Sequence, residues 1–226
     1  QNNENAEVTE KAKRVHDQVP SDQFAEFMRS GWAASDYDDL QPLEVVTFAF
    51  ARRQVLSAAF PGVRLVLPAG GYKVRANDTD YQYRPHSAFA YYSGVQGADA
   101  TADAVLVIEP TEGCHLTYLY IHPRSTRDTD AFYRDAKYGE LWVGRRYTLA
   151  EAKARYQIDT RLVNDLEELL KDGQKTLIIR GEDPLVDGAV KKNKLEEEFK
   201  IFTSEQRLVK DEYEIQEMQK AVDASG

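Results

Sequence analysis

A tryptophan stands close to two cationic side chains in the segment 140–146 of this sequence. Two positions separate Trp142 from the consecutive residues Arg145 and Arg146. An aromatic ring beside paired guanidinium groups can bind the carboxylate of a ligand or form the centre of a subunit interface. A tryptophan packed in a core strand, followed by two solvated arginines, would produce the same pattern. Trp142 is therefore the candidate binding residue, and both interpretations stay open at this point.

Residues that bind metal ions or act as nucleophiles form no recognisable motif. The four histidines lie far apart without an H-x-x-x-H pair, which favours surface or strand-end roles for His16, His86, His115 and His122. The single cysteine, Cys114, has no partner for a disulfide within the chain and no nucleophile motif around it. Neither a G-x-S-x-G elbow, a P-loop nor a Rossmann glycine fingerprint occurs. We expect no catalytic residue and no metal ligand in this chain.

Two aspartates in the segment 77–80, Asp78 and Asp80, are the remaining candidates for binding a hard cation. The segment lacks the further acids and the glycine of a calcium loop. An Asx-type turn that leads into the following aromatic segment is the preferred interpretation.

Composition limits the partners of the chain. Its 226 residues carry a formal net charge of −9, which disfavours binding to a nucleic-acid backbone. No apolar run approaches the ~18 residues that span a bilayer, and residues 1–10 lack the pattern of a signal peptide. A single cysteine suits a reducing compartment. We expect a cytoplasmic protein that binds neither nucleic acid nor membrane.

Apolar periodicity predicts the elements that position these residues. Strands are expected at 63–67, 104–109, 114–121 and 175–180, and the aromatic segment 81–92 is expected to contain a further strand and the loop that precedes it. Strands separated by helices indicate an open sheet covered by helices on both faces, so the predicted fold is a three-layer α/β architecture.

The predicted helices begin at capping residues. Ser21 caps a short arm helix with Phe24, Phe27, Met28 and Trp32 at helical spacing, and Pro42 opens a second helix with Val45, Phe48, Val55, Leu56 and Ala59 on one side. Further helices are expected at 126–136, at 148–156 with a Thr148–Glu151 capping box, and from a Thr160 cap to Leu170. A last helix carries Ile215, Met218 and Val222 as an apolar stripe that needs a surface to pack against.

Three blocks of sequence follow one another in an order and spacing that match a known family. Residues 78–94 fit the pattern D-x-x-Y-x-Y-R-x-x-S-x-F-x-Y-x-[ST]-G, residues 142–146 fit W-x-G-R-R, and residues 207–221 fit R-x-x-K-[SD]-x-x-E-[IL]-x-x-[LM]-x-x-A. Together they resemble the metal-dependent Xaa-Pro aminopeptidases, or aminopeptidase P, and more loosely the prolidases and creatinases. The resemblance covers the chain from about Gln41, and the arm before it and the insert 126–138 are departures.

The resemblance implies a domain organisation. Residues 1–40 would be a polar arm with one short helix, 41–203 an N-terminal α/β/α domain with a mixed sheet of ribonuclease-H-like shape, and 204–226 a linker helix. In such enzymes a following "pita-bread" domain binds two divalent metal ions, usually manganese, through two Asp, one His and two Glu. All five ligands lie beyond the linker helix, so the resemblance implies a chain without metal ligands that is inactive alone.

The resemblance also implies a role. The parent enzyme would release the N-terminal residue from peptides with proline in second position, and this domain would form homo-oligomer contacts, as a dimer or tetramer, and control substrate access. Trp142 would reach the active site of a neighbouring subunit, whereas Arg145 and Arg146 match the motif without an assigned contact. The alternative is a stand-alone, non-enzymatic binding or scaffolding protein with the same fold. A magnesium nuclease is a weaker alternative, because the charge and the lack of an acid constellation oppose it.

Overall fold

The computed structural model of the chain describes residues 20–33, 40–77 and 79–225. Most of the predicted polar arm, together with His16 and Asp78, therefore lies outside the described residues.

The contacts within the chain define two compact units. The first, called the arm–insert unit below, contains the described residues 20–33 and 125–144. The second, called the sheet unit, contains the described residues 40–77, 79–124 and 145–225.

The strands found among the described residues all belong to the sheet unit. They are β1 (Arg64–Pro68), β2 (Val74–Ala76), β3 (Thr79–Asp80), β4 (Val105–Thr111), β5 (Cys114–Ile121), β6 (Asp159–Leu162) and β7 (Thr176–Ile178). Among the described residues, five of these strands form one sheet in the order β6-β5-β4-β1-β7, while β2 and β3 pair as a small separate hairpin. The pairs β1–β4 and β4–β5 are antiparallel, and the pairs β1–β7 and β5–β6 are parallel. The sheet is therefore mixed, as expected.

The helices are, in chain order, α1 (Asp22–Arg29), α2 (Val46–Ala59), α3 (Ser87–Ser93), α4 (Ala131–Arg134), α5 (Glu140–Val143), α6 (Leu149–Tyr156), α7 (Leu166–Leu170), α8 (Pro184–Ala189), α9 (Glu196–Glu205) and α10 (Glu212–Asp223). Of these, α1, α4 and α5 belong to the arm–insert unit. None of the described helices combines the length and the apolar composition that crossing a membrane requires.

Side chains of β1 alternate between the two faces of the sheet and thereby define the layers. Leu65 and Leu67 belong to a buried cluster with apolar residues of α2, α3, α6 and α9. Val66, between them, belongs to a second cluster with apolar residues of α7 and α8. Because successive side chains of a strand point to opposite faces, helices cover both faces of the sheet. The predicted three-layer α/β/α fold is confirmed.

The four predicted core strands and the capped helix α6 are also confirmed. Thr148 accepts a hydrogen bond from the Glu151 backbone N–H at 3.2 Å, and the Glu151 carboxylate accepts one from the Thr148 N–H at 2.7 Å. The two side chains thereby satisfy two backbone N–H groups that the start of a helix leaves without partners.

The aromatic segment 81–92 contains no strand, so the strand predicted there was wrong, whereas residues 81–86 form a loop as expected. Residues 87–93 form helix α3, which begins where the His86 ring accepts a hydrogen bond from the Ala88 N–H. Gly94 ends the helix in the left-handed region, with φ of 77°. Phe89 and Tyr92 are fully buried three residues apart, so helical rather than alternating periodicity governs this segment.

Residues 159–162 form strand β6, although Thr160 was predicted to cap a helix. The Thr160 hydroxyl donates to the carbonyl oxygen of Leu149 at 2.6 Å, and the backbone pairs in parallel with β5. The helix that follows starts only at Leu166. The hydrogen bonds to β5 outweigh the local preference of Thr160 to cap a helix. The sequence could not show this pairing, because the two strands are far apart in the chain.

Two other helix predictions, and the strand interpretation of Trp142, needed smaller corrections. Helix α2 begins at Val46 rather than at Pro42, and Val55, predicted on its apolar side, is exposed. The helix expected at 126–136 is limited to Ala131–Arg134. Residues 140–143, including Trp142, are a helical turn and not a strand.

Candidate functional site

Trp142 lies on α5, a single helical turn in the arm–insert unit. Its indole Nε1 donates a hydrogen bond of 2.7 Å to the carbonyl oxygen of Tyr133, which holds one edge of the ring. The residue is nevertheless 62% exposed. Since the only polar group of the ring already has an acceptor, the exposed ring surface can contact an apolar or cationic group of another molecule. A tryptophan buried in a core strand, the alternative interpretation, is therefore wrong.

The turn that carries Trp142 depends on the glycine before it. A Cβ atom at Gly139 would lie 2.5 Å from the carbonyl oxygens of Ala131 and Asp135 and 2.7 Å from that of Phe132. The backbone N–H of Gly139 donates to the Asp135 carbonyl at 2.8 Å. Only a residue without a side chain permits this close approach of α5 to α4.

The arm helix α1 packs on this same insert. Ala25 is buried with Phe132 and Tyr133, and the Trp32 ring meets the Phe132 ring edge to face at 5.4 Å between centroids. Arg29 adds an ion pair with Asp130 at 2.7 Å. The predicted amphipathic arm thus packs on residues 125–144. By contrast, Phe24 and Phe27 are exposed, so the apolar side of the helix is narrower than its spacing predicted.

The two arginines of the W-x-G-R-R block have different environments in the sheet unit. Arg145 is exposed, whereas Arg146 is buried, with 4% exposure. The expectation of two solvated arginines holds only for Arg145. The pair therefore does not form a double cation on one surface.

A second candidate site lies where α10 meets α2 and α3 in the sheet unit. Arg52 of α2 donates through Nε to Asp211 Oδ2 at 2.8 Å and through Nη1 to the Tyr91 carbonyl at 2.9 Å. Its guanidinium carbon lies 4.2 Å from the centroid of the Tyr91 ring, and Glu214 stands 3.6 Å from Nη2. Asp211 and Glu214 also form the capping box of α10. One buried cation thus fixes the start of α10.

Neighbouring contacts strengthen this junction. The Tyr91 hydroxyl donates to the Gln206 carbonyl at 3.0 Å, and the Tyr92 hydroxyl bonds the Gln206 side chain. Arg53 donates to the Tyr92 carbonyl at 2.7 Å, and burial lowers the pKa of Arg53 to about 10, so it stays cationic at neutral pH. Burial raises the pKa of Tyr92, which keeps its hydroxyl protonated as a donor.

A cavity of about 690 Å³ opens beside this junction. Residues of α2, α3 and α10 and of the segments next to these helices line it: Val45, Arg52, Gln82, Tyr83, Arg84, Pro85, Ser87, Ala90, Tyr91, Gln96, Gly97, Arg207, Lys210, Tyr213 and Glu214. A cavity of this size, with aromatic walls and a few polar groups, suits a small ligand.

Sequence reasoning did not identify Arg52 as a functional residue. Two consecutive arginines with acidic residues elsewhere in the chain are ordinarily expected on a solvated surface, but both Arg52 and Arg53 are buried. The sequence did contain a sign that Arg52 is buried, because Arg52 lies at helical spacing from the buried residues Ala49 and Leu56. A cation within an apolar stripe indicates a buried ion pair, although its partner Asp211 could not be located from the sequence.

The described residues do not fit a metal centre. No group of three or more His, Cys, Asp or Glu side chains is placed to hold a metal ion anywhere in the described part of the chain. His115 bonds Ser57 Oγ through Nδ1 at 2.6 Å and the Val63 carbonyl through Nε2 at 2.9 Å, which is a strand-end role. Asn77 lies in a turn between β2 and β3, while Asp78 of the predicted Asx-type turn is outside the described residues.

The fold and the junction define a class of protein domain. It is an α/β/α domain with a mixed sheet, in which a buried arginine holds the start of the C-terminal helix by hydrogen bonds. The family model of the aminopeptidase P N-terminal domain matches residues 49–178, more than half of the chain. The chain belongs to this family.

Two relatives in Streptomyces coelicolor are close in sequence. The chain is 44% identical to Xaa-Pro aminopeptidase 1 over 209 residues, covering 91% of this chain and 42% of that protein. It is 40% identical to Xaa-Pro aminopeptidase 2 over 211 residues, covering 91% and 43%. The chain thus spans less than half the length of these relatives.

Solved structures share the fold. The proline aminopeptidase P II of Yersinia pestis matches with a TM-score of 0.56 at 24% identity, over 74% of this chain and 40% of that one. The E. coli aminopeptidase P solved with the inhibitor Pro-Leu matches with a TM-score of 0.52 at 22% identity, over 66% and 32%.

Proposed function

We propose that this chain is the N-terminal domain of a longer Xaa-Pro aminopeptidase, which releases the N-terminal residue from peptides with proline in second position. Family membership and the identity to two proteins named Xaa-Pro aminopeptidase support this proposal. The proposed segments are the arm at 1–40, the α/β domain at 41–203 and the linker helix at 204–226.

The catalytic chemistry belongs, in this proposal, to the part of the parent that follows the linker helix. Two divalent metal ions, manganese in the proposal, would be bound there, because the described residues of this chain offer no ligand set. The parent would work as a cytoplasmic homo-oligomer, a dimer or tetramer, in which this domain narrows the access of peptides. The exposed stripe of α10, with Ile215, Met218 and Val222, would pack against the remainder of the parent.

Trp142 would contact the substrate bound in a neighbouring subunit. The observation that supports this role is its geometry: the indole N–H is held by the Tyr133 carbonyl, while most of the ring is exposed. An aromatic side chain with few rotatable bonds loses little conformational entropy on binding, which makes it effective at a contact.

The test compares Trp142→Ala with Trp32→Ala in the full-length parent. Trp32 is the matched control, because its Nε1 is also held by a carbonyl oxygen, that of Met28 at 2.8 Å, and its ring is also exposed in part. We expect Trp142→Ala to lower kcat/KM for an Xaa-Pro peptide about tenfold or more, the effect of losing one contact residue, and Trp32→Ala to change it less than threefold. Unchanged kinetics and an unchanged oligomer mass for Trp142→Ala would remove its proposed role.

A second experiment addresses the location of the catalytic centre. The 226-residue chain is incubated with manganese and an Xaa-Pro peptide, and the released residue is measured against the full-length parent. We expect turnover only by the parent. Clear turnover by the shorter chain would contradict the assignment of the catalytic centre to the remainder of the protein.

A further inference from the structure

The cavity at the α2–α3–α10 junction is electropositive in a protein that is acidic as a whole. Its walls carry four cationic side chains, Arg52, Arg84, Arg207 and Lys210, and one carboxylate, Glu214. The complete chain has a formal net charge of −9. The local excess of positive charge is therefore a property of this cavity and not of the composition.

Two of the four cations are neutralised by carboxylates at the start of α10, Asp211 and Glu214. Arg52 Nη2 lies 2.6 Å from Asp211 Oδ2, and Lys210 Nζ lies 3.8 Å from Glu214 Oε1. Both carboxylates are also engaged in capping α10. These pairs account for the acids at the cavity and leave none for the other two arginines.

Arg84 and Arg207 have no carboxylate partner among the described residues. Among the described residues, the Arg207 guanidinium group hydrogen-bonds only a neutral hydroxyl, Ser204 Oγ, at 3.5 Å from Nη2, and its Nη1 has no hydrogen-bond partner. A guanidinium group that lacks acceptors in a partly buried position is costly, so an acceptor supplied by a ligand would be stabilising. Guanidinium groups bind planar oxyanions with two parallel hydrogen bonds.

The other walls favour an organic anion over a bare ion. Pro85, Ala90 and Val45 add apolar surface, and the rings of Tyr91 and Tyr213 also line the cavity. Burial raises the pKa of both of these tyrosines, so neither contributes negative charge at neutral pH. An apolar group on the ligand would pack on these walls while its anionic end meets the arginines.

We propose that this cavity binds a carboxylate carried on an apolar organic group, with Arg84 and Arg207 as the donors. The proposal does not depend on the catalytic activity of the parent. Two sources could supply the carboxylate: the free C-terminus of a peptide or, resting on the proposed function, an Asp or Glu side chain from the remainder of the parent enzyme.

The test measures binding to the 226-residue chain by isothermal titration calorimetry. The probes are N-acetyl-phenylalanine, which carries a carboxylate, and N-acetyl-phenylalaninamide, which has the same ring without the charge. The variants are Arg84→Gln and Arg207→Gln. The matched control is Arg75→Gln, because Arg75 is exposed on β2 and does not line the cavity.

We expect the acid to bind at least tenfold more tightly than the amide. Each cavity variant should weaken binding of the acid about tenfold, which corresponds to about 1.4 kcal/mol, and Arg75→Gln should leave it within twofold. Binding should also weaken at 0.5 M salt, since charge pairs at a partly open site are screened. If Arg207→Gln proves unfolded by circular dichroism, the exposed Arg84 carries the test alone.

Three results would overturn the proposal: no binding of the acid, equal binding of acid and amide, or a loss in Arg75→Gln as large as in the cavity variants. Binding of inorganic phosphate as tight as that of the acid would overturn the assignment to carboxylates. Repeating the titration with the full-length parent then distinguishes the sources. Binding to both proteins indicates an external carboxylate, whereas binding to the shorter chain alone indicates that the parent fills the cavity with its own side chain.

Discussion

Arg64 shows how a single buried charge holds several elements of the sheet unit. It lies on β1 with 1% exposure and donates to Glu109 of β4 through Nε at 2.5 Å and through Nη2 at 2.8 Å. Nη1 and Nη2 also bond Asp172 at 2.9 and 2.6 Å, and Nη1 bonds the Leu169 carbonyl at 2.9 Å. The Nε, Nη1 and Nη2 atoms of Arg64 therefore all donate to acceptors. A buried cation can be stabilising only when its hydrogen-bond donors are satisfied in this way.

Replacing Arg64 by Met should lower the free energy of unfolding by about 3 kcal/mol. The value is at the lower end for breaking a buried ion pair, because Glu109 and Asp172 keep some solvent contact. Urea unfolding followed by far-ultraviolet circular dichroism measures the change. The control is Lys171→Met, which removes an exposed pair with Glu167 and should cost less than about 0.5 kcal/mol. Equal losses in both variants would contradict the importance assigned to burial.

The same ion pairs predict how stability depends on pH. Hydrogen bonds from Arg64 lower the pKa of Asp172, and those from Arg180 lower the pKa of Glu196. A carboxylate with a lowered pKa in the folded state contributes stability above its unfolded pKa of about 4, and this stability is lost as the pH falls through the folded pKa. The urea midpoint should therefore decrease steadily below about pH 4.5. The decrease should be shallower in Arg64→Met, and an equally steep decrease in that variant would show that Asp172 is not responsible.

At the scale of an element, helix α6 tests how much a local cap contributes. Thr148→Ala removes the hydroxyl that accepts from the Glu151 N–H and should destabilise the protein by about 1 kcal/mol. Thr148→Ser keeps the hydroxyl and should change stability by less than about 0.5 kcal/mol. Amide hydrogen exchange at the first turn of α6 provides a local measurement, with faster exchange expected only in the alanine variant. Similar exchange in both variants would mean that packing, and not the cap, holds the helix start.

Helices α3 and α10 show that elements of this protein also stabilise one another over long separations in sequence. The start of α10 is fixed by Arg52, which lies 159 positions earlier, and by hydrogen bonds from Tyr91 and Tyr92 to Gln206. Such contacts close a long loop, and the chain entropy lost on closure must be offset by the buried ion pair and the hydrogen bonds. This junction also carries the proposed carboxylate cavity.

At the scale of the whole molecule, the division into two units makes a prediction that fluorescence can test. Both tryptophans of the chain, Trp32 and Trp142, lie in the arm–insert unit, whereas the sheet unit contains all the described strands. Tryptophan fluorescence therefore reports the first unit, and circular dichroism reports mainly the second. Gly139→Ala should lower the fluorescence midpoint in urea, because its Cβ would collide with three carbonyl oxygens, and should leave the dichroism midpoint within error.

The control for this experiment is Gly188→Ala on α8. A Cβ atom there meets nothing within 4 Å, so the substitution should leave the fluorescence transition unchanged and raise the dichroism midpoint slightly. Equal shifts of both probes in Gly139→Ala would show that the two units unfold as one.

The sequence alone determined the features that depend on neighbouring residues. The apolar runs at 63–67 and 104–109 and the Thr148–Glu151 capping box all act within a few positions, and the structure confirms each of them. The three motif blocks likewise indicated the family, which the match to residues 49–178 confirms. The role of Trp142 stays a prediction.

Only the tertiary structure decided the features that depend on residues far apart in the chain. Residues 159–162 form a strand because β5 supplies their hydrogen-bond partners. The helix α1 packs against residues of the segment 125–144. The charged partners of Arg52 and Arg64 lie 159, 45 and 108 positions away, so no local pattern could reveal their ion pairs. Local propensity is encoded in adjacent residues, whereas burial and charge pairing exist only after the chain has folded.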